Sequence, residues 1–179
     1  MRHHYILAID PANVESGWVV IDCDDYRPLA FGKTNNEDFR DMIYSGDFGD
    51  VKLWGEDEVI PAIEMVASYG MPVGREVFET CVWIGRFEEA LLKARHGYSR
   101  LYTDPEFIFR KDVKMNICGR TSAKDANIRQ ALIDRFASTP SGKGTKKNPD
   151  WFYGFKADEW AGYAVGVTKL DEIRGVANG

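Results

Sequence analysis

Cysteine and histidine are scarce in this 179-residue chain, at three residues each. Cys23, Cys81 and Cys118 are odd in number, far apart and without a C-x-x-C pair, which argues against a disulfide framework or a cysteine-rich zinc site. Reduced thiols in a cytoplasmic protein are the expectation. His3, His4 and His96 form no H-E-x-x-H pattern, so a histidine-based metal site is not expected. No apolar run approaches the ~20 residues of a membrane span. Met1-Arg2-His3-His4 leads straight into a strand-like segment, which predicts no secretory signal. Internal repeats are also lacking. Aromatic residues are not scarce, at 13%, and they argue against disorder. A single globular domain over residues 1–179 is the natural count at this length.

Net basic charge is lacking too. The formal charge is −5, which taken alone speaks against a nucleic-acid partner. The distribution is uneven. Asn35 to Glu64 holds nine Asp/Glu against two Lys/Arg, whereas Arg86 to Lys147 holds fourteen Lys/Arg against seven Asp/Glu. Scattered solvated faces account for such a pattern, and so does a positive surface beside an acidic site.

Tyr5 to Asp10 is a short apolar run that ends in a carboxylate and reads as a buried strand. Gly17 to Ile21 and Pro28 to Gly32 follow after short connections, which predicts an antiparallel meander. Asn36 to Tyr44 has Phe39, Met42 and Ile43 on one helical face. Val59 to Val66 is a fourth strand, and Arg75 to Arg95 a long helix stopped by Gly97. Phe107 to Phe109 is a last strand. Ser122 to Ala137 is an amphipathic helix with Ser122 as its N-cap. Pro140 to Pro149 reads as a flexible basic loop or lid. Lys156 to Ile173 is a final helix, rich in small residues that allow close packing on a sheet. The order predicts an α/β domain with one mixed sheet covered by helices.

Three acids sit in apolar surroundings. Asp10 closes a strand, Glu64 lies within another, and Asp158 opens the last helix. A buried carboxylate costs several kcal/mol unless a cation or metal offsets it. If the first and fourth strands are neighbours, Asp10 and Glu64 meet at one sheet edge, and Asp158 can complete a cluster. Carboxylate oxygens suit Mg²⁺ or Mn²⁺, and two such ions serve in-line phosphoryl displacement. Each acid also has an ordinary reading: a turn former at Asp10, a half-exposed Glu64, an N-cap at Asp158. Glu159 reads as a solvated residue or a water-mediated ligand.

Lys114, Arg120 and Lys124 precede or open the helix over Ser122 to Ala137, an arrangement suited to phosphate or to a solvated loop. Arg129 and Arg135 read as its solvated face. Lys143, Lys146 and Lys147 could grip a DNA backbone from the basic loop.

Ile-Leu-Ala-Ile-Asp-Pro near the N-terminus, Ala-Ile-Glu in the fourth strand, Val-Lys…Gly…Ala-Lys-Asp before a helix and Ala-Asp-Glu-Trp-Ala-Gly-Tyr-Ala-Val at the end resemble a RuvC-type Holliday junction resolvase. The shorter, phage-associated branch is the most similar. The resemblance covers most of the chain. It implies an RNase H-like fold with a mixed five-stranded sheet flanked by helices. It also implies a homodimer whose two sites each use two Mg²⁺ or Mn²⁺ ions to nick a four-way DNA junction. Asp10, Glu64 and Asp158 match three family catalytic acids. A fourth ligand, Asp or His, falls where this chain has Phe155, so that either three carboxylates suffice or a residue such as Glu159 substitutes. Lys124 matches a basic residue near the scissile phosphate, and Lys114 matches more loosely. The resemblance offers the Arg75–Arg95 helix, with Trp83, Phe87 and Leu91, as a dimer interface; core packing is the alternative. Tyr69 and Met71-Pro72 become either a wedge at the junction centre or packed loop residues.

The expected activity is therefore metal-dependent, structure-selective cleavage of DNA, with possible wider action on branched substrates. A non-catalytic branched-DNA-binding protein is the competitor that the missing fourth ligand suggests. An actin-like phosphotransferase needs a second similar domain and a second Asp-Gly phosphate loop, and the sequence has neither.

Overall fold

A computed structural model describes residues 4–53, 55, 57–98 and 103–176, and the side chains of 95–98 are not described. His3 and the leading residues lie outside it. The first three strands are β1 (His4–Asp10), β2 (Glu15–Asp22) and β3 (Pro28–Asn35), followed by α1 (Asn36–Ser45). A small ribbon of β4 (Asp47–Phe48) and β5 (Val51–Lys52) leads into β6 (Glu58–Met65), α2 (Arg75–Tyr98) and β7 (Glu106–Phe109). Three helices close the chain: α3 (Arg110–Cys118), α4 (Asp125–Phe136) and α5 (Ala157–Arg174).

The main sheet has five strands in the order β3-β2-β1-β6-β7. β1, β2 and β3 form the antiparallel meander, while β6 runs parallel to β1 and β7 parallel to β6. This is a mixed sheet flanked by helices, the RNase H-like arrangement.

Strand residues alternate between faces, and the apolar ones fall into two cores. Ile6, Ala8, Val19, Ile21 and Ala62 pack with α4 and α5 on one face. Leu7, Ile9, Val20, Val59 and Ile63 pack with α1 and α2 on the other. Gly166 permits the contact of α5 with the sheet, since a Cβ there would collide with Ile21 Cδ1 and lie 3.0 Å from Ala8 Cβ.

Several local expectations are corrected. Residues 110–118 form a helix of their own, because β7 passes straight into α3. The helix expected from Ser122 begins at Asp125, and Lys124 occupies its N-cap, donating its N–H to Asn127 Oδ1 at 2.9 Å. α2 runs through Gly97 to Tyr98. Phe87 and Leu91 are fully buried against α1 and the sheet, with Phe87 5.1 Å from Phe39 between ring centroids, so they belong to the core. The outward stripe of α2 is Phe78, Cys81, Val82 and Gly85 instead, with Phe78 61% exposed. The basic loop is held by Asp150, whose carboxylate accepts the Ser138 and Thr139 N–H groups and the Thr139 hydroxyl. Asp150 thus ties the two ends of the expected loop or lid together. All three cysteines are free. Among the described residues no helix is long and apolar enough to cross a membrane.

Candidate active site

Parallel pairing of β1 and β6 matches Ile9 with Ile63, so Asp10 and Glu64 are the next residues at the same end of the sheet. Both project to the face that α5 covers, by the alternation that puts Ala8 and Ala62 in that core. Their carboxyl groups are hydrogen-bonded to each other. Burial, and next the Glu64 carboxylate, push Asp10 up to about 8. Burial raises Glu64 as well, against the pull of Arg110. Two carboxyls this close hold a proton between them in place of an unscreened charge pair.

Asp158 reaches this corner because of Gly17. Gly17 pairs with Asp10 across β1 and β2. A Cβ on Gly17 would lie 2.8 Å from the Asp158 carbonyl oxygen and 3.0 Å from its Cβ. Glycine therefore lets the first turn of α5 rest on β2 beside Asp10, and the Asp158 charge is one of the influences that raise Asp10. The turn after Asp10 is fixed by buried polar contacts: Ser16 Oγ donates to Asn36 Oδ1 at 2.6 Å, and Asn36 Nδ2 donates to the Ala12 carbonyl at 2.8 Å.

Two cations answer the acids, and sequence reasoning missed both. Lys33 Nζ on β3 lies 2.9 Å from Asp158 Oδ2 and 3.8 Å from Glu15 Oε2. Arg110, the first residue of α3, has Nη1 3.6 Å from Glu64 Oε2, while its other nitrogen binds Asp125. Arg110 follows β7, whose Ile108 pairs with Glu64, so the strand order delivers it. An arginine directly after an apolar strand was the available signal; pairing across elements is not visible in the chain order.

The position of the expected fourth ligand is closed. Phe155 is fully buried, with its ring centroid 4.5 Å from that of Phe31 and 5.2 Å from that of Phe152. Glu159 is buried rather than solvated, and its Oε2 accepts the Lys156 N–H at 3.0 Å to cap α5. Among the described residues no three Asp, Glu, His or Cys side chains converge as a metal cluster, and Asp158 pairs with Lys33. The donor chemistry nonetheless fits a hard divalent cation: Asp10, Glu64 and Asp158 offer only carboxylate oxygens, and a shared proton and two side-chain cations now offset their charge.

The basic residues divide. Lys114 acts electrostatically on Glu64 and lines a cleft of about 270 Å³ with Arg110, Lys111, Thr121 and Tyr69. Tyr69 is 61% exposed in a left-handed backbone conformation, φ 47°, and Met71 is 72% exposed, so neither is a packed loop residue. Lys124 adjoins Asp125 at the start of α4, and Arg120 is exposed in the turn before it. Lys146 and Lys147 are exposed on the basic loop, and Lys143 is half-buried. Arg135 is exposed, as expected, and also makes a bidentate pair with fully buried Asp171 at 2.7 and 2.8 Å. Arg129 lies over the Trp160 ring.

No family model and no curated protein sequence matches the chain. Solved structures of RuvC from Thermus thermophilus are similar to it. One has 14% identity and a TM-score of 0.56, covering 97% of this chain and 98% of that one. Another, RuvC in complex with a Holliday junction substrate, has 13% identity and a TM-score of 0.62, covering 97% of this chain and 96% of that one. Identities this low establish the shared fold.

Proposed function

We propose that this chain is a divalent-metal-dependent endonuclease that nicks four-way DNA junctions, acts as a homodimer and belongs with the short phage-associated resolvases. The carrying observation is the meeting of Asp10 and Glu64 at adjacent strand ends, with Asp158 brought beside them by Gly17, in a fold similar to RuvC. In this reading Asp10, Glu64 and Asp158 hold Mg²⁺ or Mn²⁺. The ions supply Lewis acidity for hydrolysis of a phosphodiester. Arg110 and Lys33 neutralise Glu64 and Asp158 until the ions do so. Lys124 stabilises charge on the reacting phosphate, and Lys114, Arg120, Lys143, Lys146 and Lys147 bind the DNA backbone. The stripe of Phe78, Cys81, Val82 and Gly85 on α2 supports the homodimer, being apolar and exposed at helical spacing.

The test is labelled four-way, three-way and linear DNA incubated with Mg²⁺ or Mn²⁺, with nick positions mapped on every strand. Paired symmetric nicks on four-way junctions alone, lost in Asp10→Asn, are expected. Nicks on forks and flaps as well would widen the substrate class, and nicking retained by Asp10→Asn would overturn the site. The burial of Phe155 favours one competing reading, a non-catalytic branched-DNA-binding protein. Junction binding without nicking across several divalent metals would establish it.

A further inference from the structure

Beside the acidic corner, α4, the turn at Pro140 and the start of α5 line an open cavity of about 520 Å³. Asp125, Arg129, Gln130, Ile133 and Trp160 are among its lining residues. Its size is that of a small-molecule site. A narrower recess of about 50 Å³ shares Asp125, Arg129 and Trp160 with it and reaches Arg110, the partner of Glu64. The cavity thus borders the Arg110–Glu64 pair at one edge of the candidate active site.

Two features describe its occupant. The Arg129 guanidinium lies 5.0 Å from the centroid of the Trp160 ring, a cation–π pair at the cavity wall that a further planar group can join. Gln130 and Asp125 add an amide and a carboxylate to a wall that also contains Ala126, Ile133 and Pro140. A planar ring with donors and acceptors on its edge answers both features. An extended phosphate chain would pair with Arg129 alone and would meet the Asp125 carboxylate and the apolar wall.

We propose that the cavity receives one unpaired nucleobase of the DNA strand whose phosphate lies at Asp10, Glu64 and Asp158, and that Arg129 and Gln130 read it. The proposal rests on the nuclease reading, which brings the strand to this corner. At a branch point an unpaired base is available at low unstacking cost, and stacking on a planar side chain with edge contacts is how extruded bases are held.

The binding arm of the test uses Asp10→Asn protein and four-way junctions that carry 2-aminopurine at successive positions around the branch point. Emission should rise severalfold at a single position as that base leaves the helix stack, and Arg129→Ala and Gln130→Ala should each abolish the rise. Both residues are exposed on α4, so the variants fold. The cleavage arm uses wild-type protein with all four bases at that position. A base preference of about tenfold, falling to within about twofold in the two variants, is expected from stacking and edge contacts. Nicking with no 2-aminopurine response, or with a preference untouched by either variant, overturns the pocket and leaves the nuclease. A localised response without nicking in any metal supports the pocket and removes the nuclease.

Discussion

Asp10 and Glu64 are hydrogen-bonded carboxyls on neighbouring parallel strands, and Asp10 is held up to about 8 by burial and by Glu64. A carboxyl whose folded value lies above its unfolded one binds its proton more tightly in the native state. Its contribution is fully present below the ordinary carboxylate range and is lost as pH rises through about 8. Without metal, Asp10→Asn should therefore raise the melting temperature at about pH 9, with the gain shrinking toward about pH 4. Thermal melts in EDTA across that range check it, and a difference that stays constant with pH would contradict it. Under the proposed metal-binding reading, a divalent ion should reverse the sign, because it would stabilise the ionised wild type and have little hold on the amide.

Arg110 gives the second prediction. Its side chain is 24% exposed and Glu64 is 15% exposed, so the pair is screened only in part. Arg110→Gln leaves Glu64 partly buried without its cation, at a cost of about 1–3 kcal/mol in the metal-free protein. Mn²⁺ should restore more stability to the variant than to wild type, because the ion replaces the lost charge. Calorimetric unfolding with and without Mn²⁺ reads the difference, and equal shifts in the two proteins would show that Arg110 and the metal do not share Glu64.

Gly17 gives the third. A methyl at this position would contact the Asp158 carbonyl oxygen at 2.8 Å, and the neighbour is helix backbone that cannot rotate away. Gly17→Ala should cost about 1–3 kcal/mol and displace Asp158 from Asp10. The loss of nicking should exceed what the loss of stability explains, when both are measured well below the melting temperature. Full nicking in a destabilised variant would mean that Asp158 need not sit against β2.

Much of this corner is legible in the sequence, since acids in apolar runs are conspicuous. Asp10, Glu64 and Asp158 stand out for that reason, and the order of strands places the first two together. Phe155 stands where the resemblance expects a ligand, but its burial among Phe31, Phe152 and Trp160 is a tertiary fact. α3 is obscure because Val113 is its one buried residue, which leaves no helical stripe to read. Phe87 and Leu91 look like surplus apolar surface because α2 packs on α1 as well as on the sheet, and pairing with α1 is not encoded in α2 itself. Lys33 and Arg110 resemble any other surface cations until the fold sets them opposite acids.

Asp171 illustrates the same point and gives the last prediction. It follows Leu170 and precedes Glu172 in a charged helix end, and nothing nearby marks it as buried. In the structure it is fully buried and accepts hydrogen bonds from Arg135, Tyr26 and Asn116. Those bonds outweigh burial and hold its carboxyl below the usual carboxylate range. Its folded value is therefore below its unfolded one, and the stability it contributes is present above the unfolded value and lost as pH falls through the folded value. Arg135→Met removes the bidentate partner and strands the carboxylate, at a cost of about 3–5 kcal/mol near neutral pH. The deficit should narrow on acidification, as Asp171 in the variant takes up a proton and ceases to be an unpaired charge. Urea unfolding at about pH 7 and about pH 4 measures both ends of that trend. An equal deficit at the two values would mean that Arg135 stabilises the fold through its stacking on Tyr26 and Phe136 rather than through Asp171.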